Sequence, residues 1–424
     1  MKSWIKSLEV YADRRMVVLF FLGFSSGLPL LLVYSTLTFW LLEEGLDIES
    51  VGLFAATALP YSLKFLWAPL VDRLPVPVLG MLLGLRRGWL FLLQISLLAA
   101  IALLSISDPG TAPMGCALAA LLVAFLSASQ DVVVDAYRIE SLDDDEQGAG
   151  AASAVFGYRV GMLTASAGAL HIAQWSGDWQ FTYLAMSLLM LVGLITTVLC
   201  AEPDRPTLES DGDGKLAHLK QGVIGPFRNF ADRPGWLFIA CFVVLYKLGD
   251  ALADTMVNPL LADLEFSNTV IANIAQSWGL AASIIGVFVG GLLVRQLGIV
   301  GALWVGGVLQ MATNLMFTLQ ASIGHDVQLL TATIGVQNLS GGLGTAAFVA
   351  YLSALCHKKY TATQYALLTA LASALQTATS TGAGYAVAWL GWGTYFVATA
   401  AAALPGLVLL FWLSRNDMTG LDDR

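Results

Sequence analysis

Apolar segments long enough to cross a membrane recur along almost the whole of this chain of 424 residues. A transmembrane helix needs about 20 predominantly apolar residues, and twelve segments meet that requirement. A membrane barrel would instead show alternating segments of ~10 residues. The pattern predicts an all-α integral membrane protein with spans at residues 16–40, 50–71, 88–107, 112–137, 149–173, 179–200, 235–261, 270–294, 299–320, 327–355, 362–389 and 392–413.

Charge is sparse, since 12% of the residues are charged against about 25% in a typical soluble domain. The formal charge of −9 argues against nucleic-acid binding, which needs a basic surface. The four cysteines show no metal-ligand spacing, and the acidic run at residues 143–146 lacks the pattern of a calcium loop. We therefore expect no metal, no cofactor and no nucleic-acid partner.

Lysine and arginine are concentrated on one side of this arrangement. All but three of the 21 lie before span 1, after span 12, or in loops and span ends on the same side. Positive residues mark the cytoplasmic side of a membrane protein, so both termini are predicted to be cytoplasmic. The three exceptions, Lys64, Arg159 and Lys247, lie within spans.

One long polar stretch, residues 201–234, interrupts the apolar pattern and contains the run EPDRPTLESDGDGK. Its proline, glycine and acidic residues predict a flexible linker on the cytoplasmic side. The linker separates an N-terminal half, residues 1–200, from a C-terminal half, residues 235–424, with six spans in each. This organisation is similar to that of the major facilitator superfamily, whose two halves rock around a central site.

The loop between spans 2 and 3 begins with Asp72 and Arg73 and ends with Arg86 and Arg87. It resembles a stretched form of the acid–base motif that latches helix ends in that superfamily. We therefore assign Asp72, Arg73 and Arg87 to a gate. The alternative for Arg86 and Arg87 is a role as ordinary anchors on the positive side, which does not account for Asp72.

Charged residues also occur within the spans, where each costs at least ~2.5 kcal/mol. Such residues normally face an aqueous cavity or pair with each other. In spans 4 and 7 they are spaced three or four residues apart, which places them along one helical face. The set comprises four acids and four bases, namely Asp131, Asp135 and Arg138 in span 4, Lys247, Asp250 and Asp254 in span 7, Lys64 in span 2 and Arg159 in span 5.

Two interpretations of this set are open. In the first, permanent ion pairs pin the helices together. In the second, the acids belong to a proton-coupled binding cavity. Burial favours a protonated carboxyl group and a nearby cation favours the ionised one, so moving a cation between states switches proton affinity. On the second interpretation, the proton-coupling residues are Asp131, Asp135, Asp250 and Asp254.

Further residues are candidates for ligand contacts. Arg138 is one, although it lies near the boundary of the membrane and alternatively pairs with Asp135 or Glu140. The glycines of residues 341–344 are expected to allow close helix contact, since small residues drive helix association in lipid. The uncharged candidates are Gln130, Tyr158, Tyr246, Gln337 and Asn338, of which the last two alternatively cross-link helices.

The motifs of common enzymes and ATP-driven pumps do not occur in the sequence. There is no nucleophile elbow, Walker motif or HExxH helix. An enzyme is therefore not expected. The sequence favours a secondary transporter, whose energy comes from an ion gradient, an exchange partner or the gradient of the substrate itself.

The chain also resembles the AmpG family of muropeptide permeases. The matching segments follow the family order along nearly the whole chain: GFSSGLPL (23–30), KFLWAPLVDR (64–73), RRGWL (86–90), SASQDVVVDAYR (127–138), GAGAASAVFGYRVGML (148–163), LYKLGDALAD (245–254), NLSGGLGTAAFVAYLSALC (338–356) and ATQYALLTALAS (362–373). Longer relatives carry extra spans, whereas this chain has a bare core of twelve.

The resemblance implies a transporter in the bacterial inner membrane. Its substrates would be anhydro-muropeptides, in which N-acetylglucosamine is linked to anhydro-N-acetylmuramic acid with or without a stem peptide. The proton gradient would drive import from periplasm to cytoplasm, for peptidoglycan recycling and for β-lactamase induction. On this basis Arg159, Lys247 and Lys64 are expected to bind peptide carboxylates, and the uncharged candidates to meet sugar hydroxyls.

Other identities are open at this point. Related branches move siderophores or acetyl-CoA, so a transporter of another bulky anion is the first alternative. A membrane sensor or structural subunit that no longer transports is the second, although such a scaffold would have little reason to keep eight intramembrane charges. Beyond its substrate, proton and lipid bilayer, the protein is expected to act as a monomer.

Overall fold

The computed structural model describes residues 9–46, 54–204, 224–380 and 382–421. Within these ranges the chain is helical, and its helices group into twelve segments that correspond to the predicted spans. We name them α1 to α12 in chain order. Their bounds are α1 Arg14–Glu43, α2 54–73, α3 Leu85–Ser105, α4 Pro113–Ser141, α5 147–176, α6 Trp179–Leu199, α7 Trp236–Asp263, α8 268–297, α9 299–323, α10 Val327–Leu355, α11 Thr361–Ser380 with Ala383–Leu390, and α12 Trp392–Arg415.

Judged by length and apolarity alone, seven helical stretches of the described chain are able to span a membrane. The longest of them, Thr269–Ile323, comprises both α8 and α9. The two segments meet at Gly298, whose φ of 73° and ψ of 170° are not helical. Glycine adopts a positive φ without steric cost, so the chain turns back there without a longer loop.

Several segments are interrupted inside the membrane. α2 is a series of short helices and 3-10 turns, one of which begins at Lys64. α7 breaks between the helices Trp236–Leu245 and Leu248–Asp263, and Lys247 lies at the break. Interrupted backbone is tolerated at membrane depth only where protein covers it or a water-filled cavity adjoins it. Both breaks therefore mark places where polar chemistry is accommodated.

The first six segments form one half and the last six the other. Within the N-terminal half, α1 and α5 approach each other through glycine. A Cβ added to Gly157 would lie 1.9 Å from the carbonyl oxygen of Phe20, and one added to Gly27 would lie 2.1 Å from that of Tyr158. Any larger residue would force these backbones apart.

The two halves touch at the end of the bundle where α1 begins and α12 ends, which we call the terminal end. There Ala152 of α5 packs with Val287 of α8 and Ala346 of α10 in a buried apolar cluster. The hydroxyl of Tyr11 also donates a hydrogen bond of 3.0 Å to the carbonyl oxygen of Phe288. The structure is therefore closed at the terminal end.

The predicted linker is described only at its two ends, because residues 205–223 lie outside the described residues. At the first end, Glu202 accepts hydrogen bonds from the backbone amides of Arg86 and Arg87, at 2.7 and 2.9 Å. At the second end, residues 224–231 are helical. These ends are more ordered than the flexible linker expected from the composition, and the boundaries of the two halves remain a prediction.

Candidate functional site

A cavity of about 810 Å³ lies against the C-terminal half, bordered by α7, α10 and α11. Three of the charged residues predicted for the site line it, namely Lys247, Asp250 and Asp254. Their spacing of three and four residues places Lys247, Asp250 and Asp254 on one face of α7, and Lys247 lies at the start of its second helix.

Polar side chains of α9 and α10 hold these charged groups. The ammonium of Lys247 lies 3.1 Å from Asp250 and 3.4 Å from the hydroxyl of Thr345. Asp250 accepts a second hydrogen bond of 3.1 Å from the amide of Gln310. The amide of Gln337 donates to Asp254. Thus Lys247 and Asp250 form an ion pair, while Asp254 is held by a neutral group.

The polar stretch of α4 around Asp131 lies against α1. Asp131 is buried and accepts a hydrogen bond from the hydroxyl of Ser26 on α1. Its neighbour Gln130 reaches Ser25 at 3.4 Å. Lys64 interacts electrostatically with Asp131 but forms no hydrogen bond or ion pair with another described residue. Two neighbouring serines of α1 therefore face the polar stretch of α4.

Arg138 connects the two halves, a role the sequence did not indicate. Its guanidinium donates to the hydroxyl of Ser353 on α10 at 2.9 Å and lies 5.2 Å from the ring centre of Tyr365 on α11. It also pairs with Asp135 at 3.4 Å, one of the two partners expected. Only 1% of the Arg138 side chain is exposed. The side chain therefore fills space between α4 and the helices α10 and α11 of the other half.

Arg159 faces the opposite half from α5. The residue one turn earlier, Val155, packs against the apolar cluster that contains Val287 and Ala346. Residues four apart share a helix face, so Arg159 points the same way, one turn further from the terminal end. It is partly exposed and forms no hydrogen bond or ion pair with a described residue. An unpaired guanidinium at this depth is suited to an anionic ligand group.

The uncharged candidates fall into different places. Tyr158 is partly buried on α5, next to Arg159. Tyr246 belongs instead to the core of the C-terminal half, where it stacks on Phe348 and donates to the carbonyl oxygen of Leu303 at 2.9 Å. Asn338 donates to its own helix, at the carbonyl oxygen of Ile334. Of the two amides predicted on α10, Gln337 is the one that contacts a charged residue of the cavity.

The glycines of α10 divide into two kinds. A Cβ on Gly342 would lie 2.3 Å from the carbonyl oxygen of Ser283, and one on Gly344 would lie 2.5 Å from the amide of Gln310. These two serve close packing, as expected. A Cβ on Gly341 would meet no atom of a described residue within 4 Å, so close packing against the described chain does not account for that glycine.

The predicted gate lies at the terminal end, and its centre is Arg86. This arginine is fully buried and donates to Asp72 at 2.7 Å and to Glu140 at 2.7 and 2.9 Å. Asp72 reaches across to the other half, where it accepts from the backbone amides of Ala362 and Thr363 and from the hydroxyl of Thr363, at 3.1, 2.8 and 2.6 Å. We call Asp72, Arg86, Glu140 and Thr363 the latch.

The other two residues predicted for the gate flank the latch. The guanidinium of Arg73 lies 5.8 Å from the ring centre of Tyr360 in the opposite half. Arg87 stays within its own half, donating to the carbonyl oxygens of Thr197 and Val198 at 2.9 and 2.8 Å. The loop pattern predicts Arg87 as a gate residue, whereas in the structure Arg86 lies between the two buried acids Asp72 and Glu140.

Comparisons with known proteins identify the family of the chain. The Major Facilitator Superfamily model matches residues 19–324. The anhydromuropeptide permease of Escherichia coli strain K12 is 40% identical over 95% of this chain and 80% of the relative. The putative transporter AmpG 4 of Rickettsia conorii is 34% identical over 96% of this chain and 98% of the relative.

The fold is also that of a solved transporter. The proton:xylose symporter XylE, bound to 6-bromo-6-deoxy-D-glucose, aligns with a TM-score of 0.62 over 98% of this chain and 96% of its own, at 14% sequence identity. At that identity the likeness concerns the fold alone. The sequence relatives are closer, and both cover nearly the whole chain. The protein is a membrane transporter that belongs to the AmpG permease family of the major facilitator superfamily.

Proposed function

We propose that this transporter imports anhydro-muropeptides across the bacterial inner membrane by coupling their movement to protons. The observation that carries the proposal is the cavity against the C-terminal half, which is lined by the charged residues Lys247, Asp250 and Asp254. The 40% identity to an anhydromuropeptide permease over 95% of the chain supports the substrate class. In this proposal the protein acts as a monomer.

The direction of transport rests on the distribution of positive charge. Nearly all lysines and arginines outside the three intramembrane ones belong to the terminal end or its loops, and positive charge favours the cytoplasmic side. The terminal end is then cytoplasmic, as are both chain termini. With its latch closed at that end, the structure represents the state that receives substrate from the periplasm.

Ligand recognition is assigned to both halves. Arg159, which lacks an ion-pair partner among the described residues, binds a carboxylate of the stem peptide, and Lys64 supplies a second positive charge. In the other half, Gln337, Thr345 and Asp254 present hydrogen-bonding groups for sugar hydroxyls. This division accounts for ligands with and without a peptide, since the sugar contacts do not require Arg159.

Proton coupling is assigned to the four intramembrane aspartates. Asp131 and Asp254 are the better placed, because each is held by a neutral hydrogen-bond donor rather than by an ion pair. Asp135 and Asp250 are paired with Arg138 and Lys247. In this mechanism, proton and ligand bind to the periplasm-facing state, the halves rock, and the acids are deprotonated once the cavity opens to the cytoplasm.

The proposal is tested by uptake of labelled anhydro-muropeptide into proteoliposomes that contain the purified protein. Accumulation is expected under an inward proton gradient, with equilibration alone when the gradient is dissipated. If folded protein takes up no muropeptide, the substrate assignment is wrong. A siderophore or an acyl-CoA, offered in the same assay, then tests whether Arg159 serves another bulky anion.

A further inference from the structure

One face of α10 is partly exposed, whereas the other faces of the helix are buried at the same level. Gly341, Thr345 and Val349 are partly exposed, whereas most residues between them are buried. A spacing of four places the three on one helical face. Thr345 and Val349 line the cavity. Gly341 lies one turn further from the terminal end on that same face.

Two cross-links join this face of α10 to α7. Gln337 donates to Asp254, and the ammonium of Lys247 lies 3.4 Å from the hydroxyl of Thr345. The two helices are therefore antiparallel here, and Gly341 stands midway between the cross-links. On α7 the corresponding level is that of Asp250 and its neighbour Ala251, both of which line the cavity.

Nothing in the described part of the fold requires glycine at position 341. Its backbone is helical without a positive φ, and a Cβ would meet no atom of a described residue within 4 Å. Glycine inside a helix is otherwise unfavourable relative to alanine. By contrast, Gly342 and Gly344 each abut a neighbouring helix. The property that remains at Gly341 is empty space between two polar cross-links.

We propose that Gly341 forms part of a sugar-binding subsite by leaving room for a pyranose ring of the ligand. The inference rests on the proposed function and adds where the sugar binds. A ring lying over the bare backbone of Gly341 would place hydroxyls on opposite edges toward two sets of partners. One set is Asp254 with Gln337, and the other is Lys247 with Thr345.

The test compares Gly341→Ala and Gly341→Leu with the wild-type protein, using the anhydro-disaccharide with and without a tripeptide. Both ligands contain the sugars, so Gly341→Leu should weaken binding to purified protein and uptake about tenfold or more for both alike. Gly341→Ala should give a smaller loss, also equal for the two ligands. Neither variant should lower the temperature of thermal unfolding.

Two controls define the result. Gly384 is exposed, and a Cβ there would also meet no atom of a described residue within 4 Å, but it lies on α11 and not between the cross-links that Gln337 and Thr345 make to α7. Gly384→Leu should therefore leave both ligands unaffected. Arg159→Gln should reduce binding of the peptide-bearing ligand selectively, which shows that the assay separates sugar from peptide contacts.

Several results would overturn the assignment. Selective loss of the peptide-bearing ligand in Gly341→Leu would place the peptide, not a sugar, in the gap. Unchanged binding of both ligands in Gly341→Leu would show that no ligand group occupies the gap. Loss of uptake with normal binding would show the same, because it would mean that the substitution impairs the rocking of the halves and not ligand binding. Failure of the wild-type protein itself to bind either ligand would instead refute the proposed function.

Discussion

The latch makes the balance between the two transport states depend on Asp72. Its carboxylate accepts three hydrogen bonds from Ala362 and Thr363 across the interface between the halves. In Asp72→Asn, Arg86 keeps its second partner, Glu140, so no buried cation loses every partner. The variant should therefore fold, while the state closed at the terminal end loses part of its stabilisation.

The size of the effect follows from the three bonds. A hydrogen bond to a charged group contributes ~1.5–3 kcal/mol and a neutral one ~0.5–1.5 kcal/mol. Asparagine is uncharged and accepts through one oxygen only, so the three bonds are weakened or lost at about 1 kcal/mol each, or about 3 kcal/mol in all. The ratio of closed to open molecules at the terminal end should fall about 100-fold.

The assay is pulsed electron spin resonance of spin labels at Met81 and Lys359, in a background without the four native cysteines. Both positions are exposed; Met81 lies in the short helix Leu79–Leu83 between α2 and α3, and Lys359 lies in the turn between α10 and α11. Asp72→Asn should move the distance distribution toward longer distances. Arg87→Gln is the matched control, since Arg87 bonds only within its own half. An unchanged distribution in Asp72→Asn, or an equal shift in both variants, would refute the role of the latch.

Three further predictions concern the cavity and the helix contacts. Arg159→Ala should weaken binding more for peptide-bearing than for peptide-free ligand, measured by calorimetry, and equal loss for both would indicate a structural role. Asp131→Asn should abolish accumulation driven by the proton gradient but retain counterflow exchange of labelled ligand, and normal accumulation would exclude Asp131 as the coupling acid. Gly342→Ala should lower the free energy of unfolding by about 1–3 kcal/mol, because the added Cβ would lie 2.3 Å from the carbonyl oxygen of Ser283. An unchanged thermal unfolding temperature would show instead that α8 and α10 separate readily.

The number and order of the spans were predictable because hydropathy acts over about 20 residues at a time. The interruptions within them were not. Lys64 and Lys247 lie at breaks in α2 and α7, yet the sequence around Lys247 contains no proline on the preceding turn that would signal one. The breaks depend on tertiary contacts, which a single sequence does not display.

The candidate site shows the same limit at the level of single residues. Arg86 and Arg87 are adjacent bases, and only the positions of Asp72 and Glu140 decide which of them joins the latch. Tyr246 adjoins Lys247, but it turns into the core while the lysine faces the cavity. Neighbours on a helix point about 100° apart, so proximity in sequence does not predict a shared environment.

The small and uncharged members of the site were the hardest to anticipate. Ser26, Gln310 and Thr345 each hold one of the predicted charged residues. In the sequence, each is only a polar side chain within an apolar span. Such side chains are weak signals, because Ser and Thr hydroxyls often donate to a carbonyl oxygen of their own helix. Gly341 carries no signal that separates it from Gly342, because the difference is the distance to a neighbouring helix.

Coupling between ligand and proton is the central claim, and proton movement into proteoliposomes measures it directly. A pH-sensitive dye inside the vesicles reports acidification when anhydro-muropeptide is added outside without any imposed gradient. We predict acidification by the wild-type protein and none by Asp131→Asn, although that variant still exchanges labelled ligand. Entry of ligand through the wild-type protein without acidification would contradict the account.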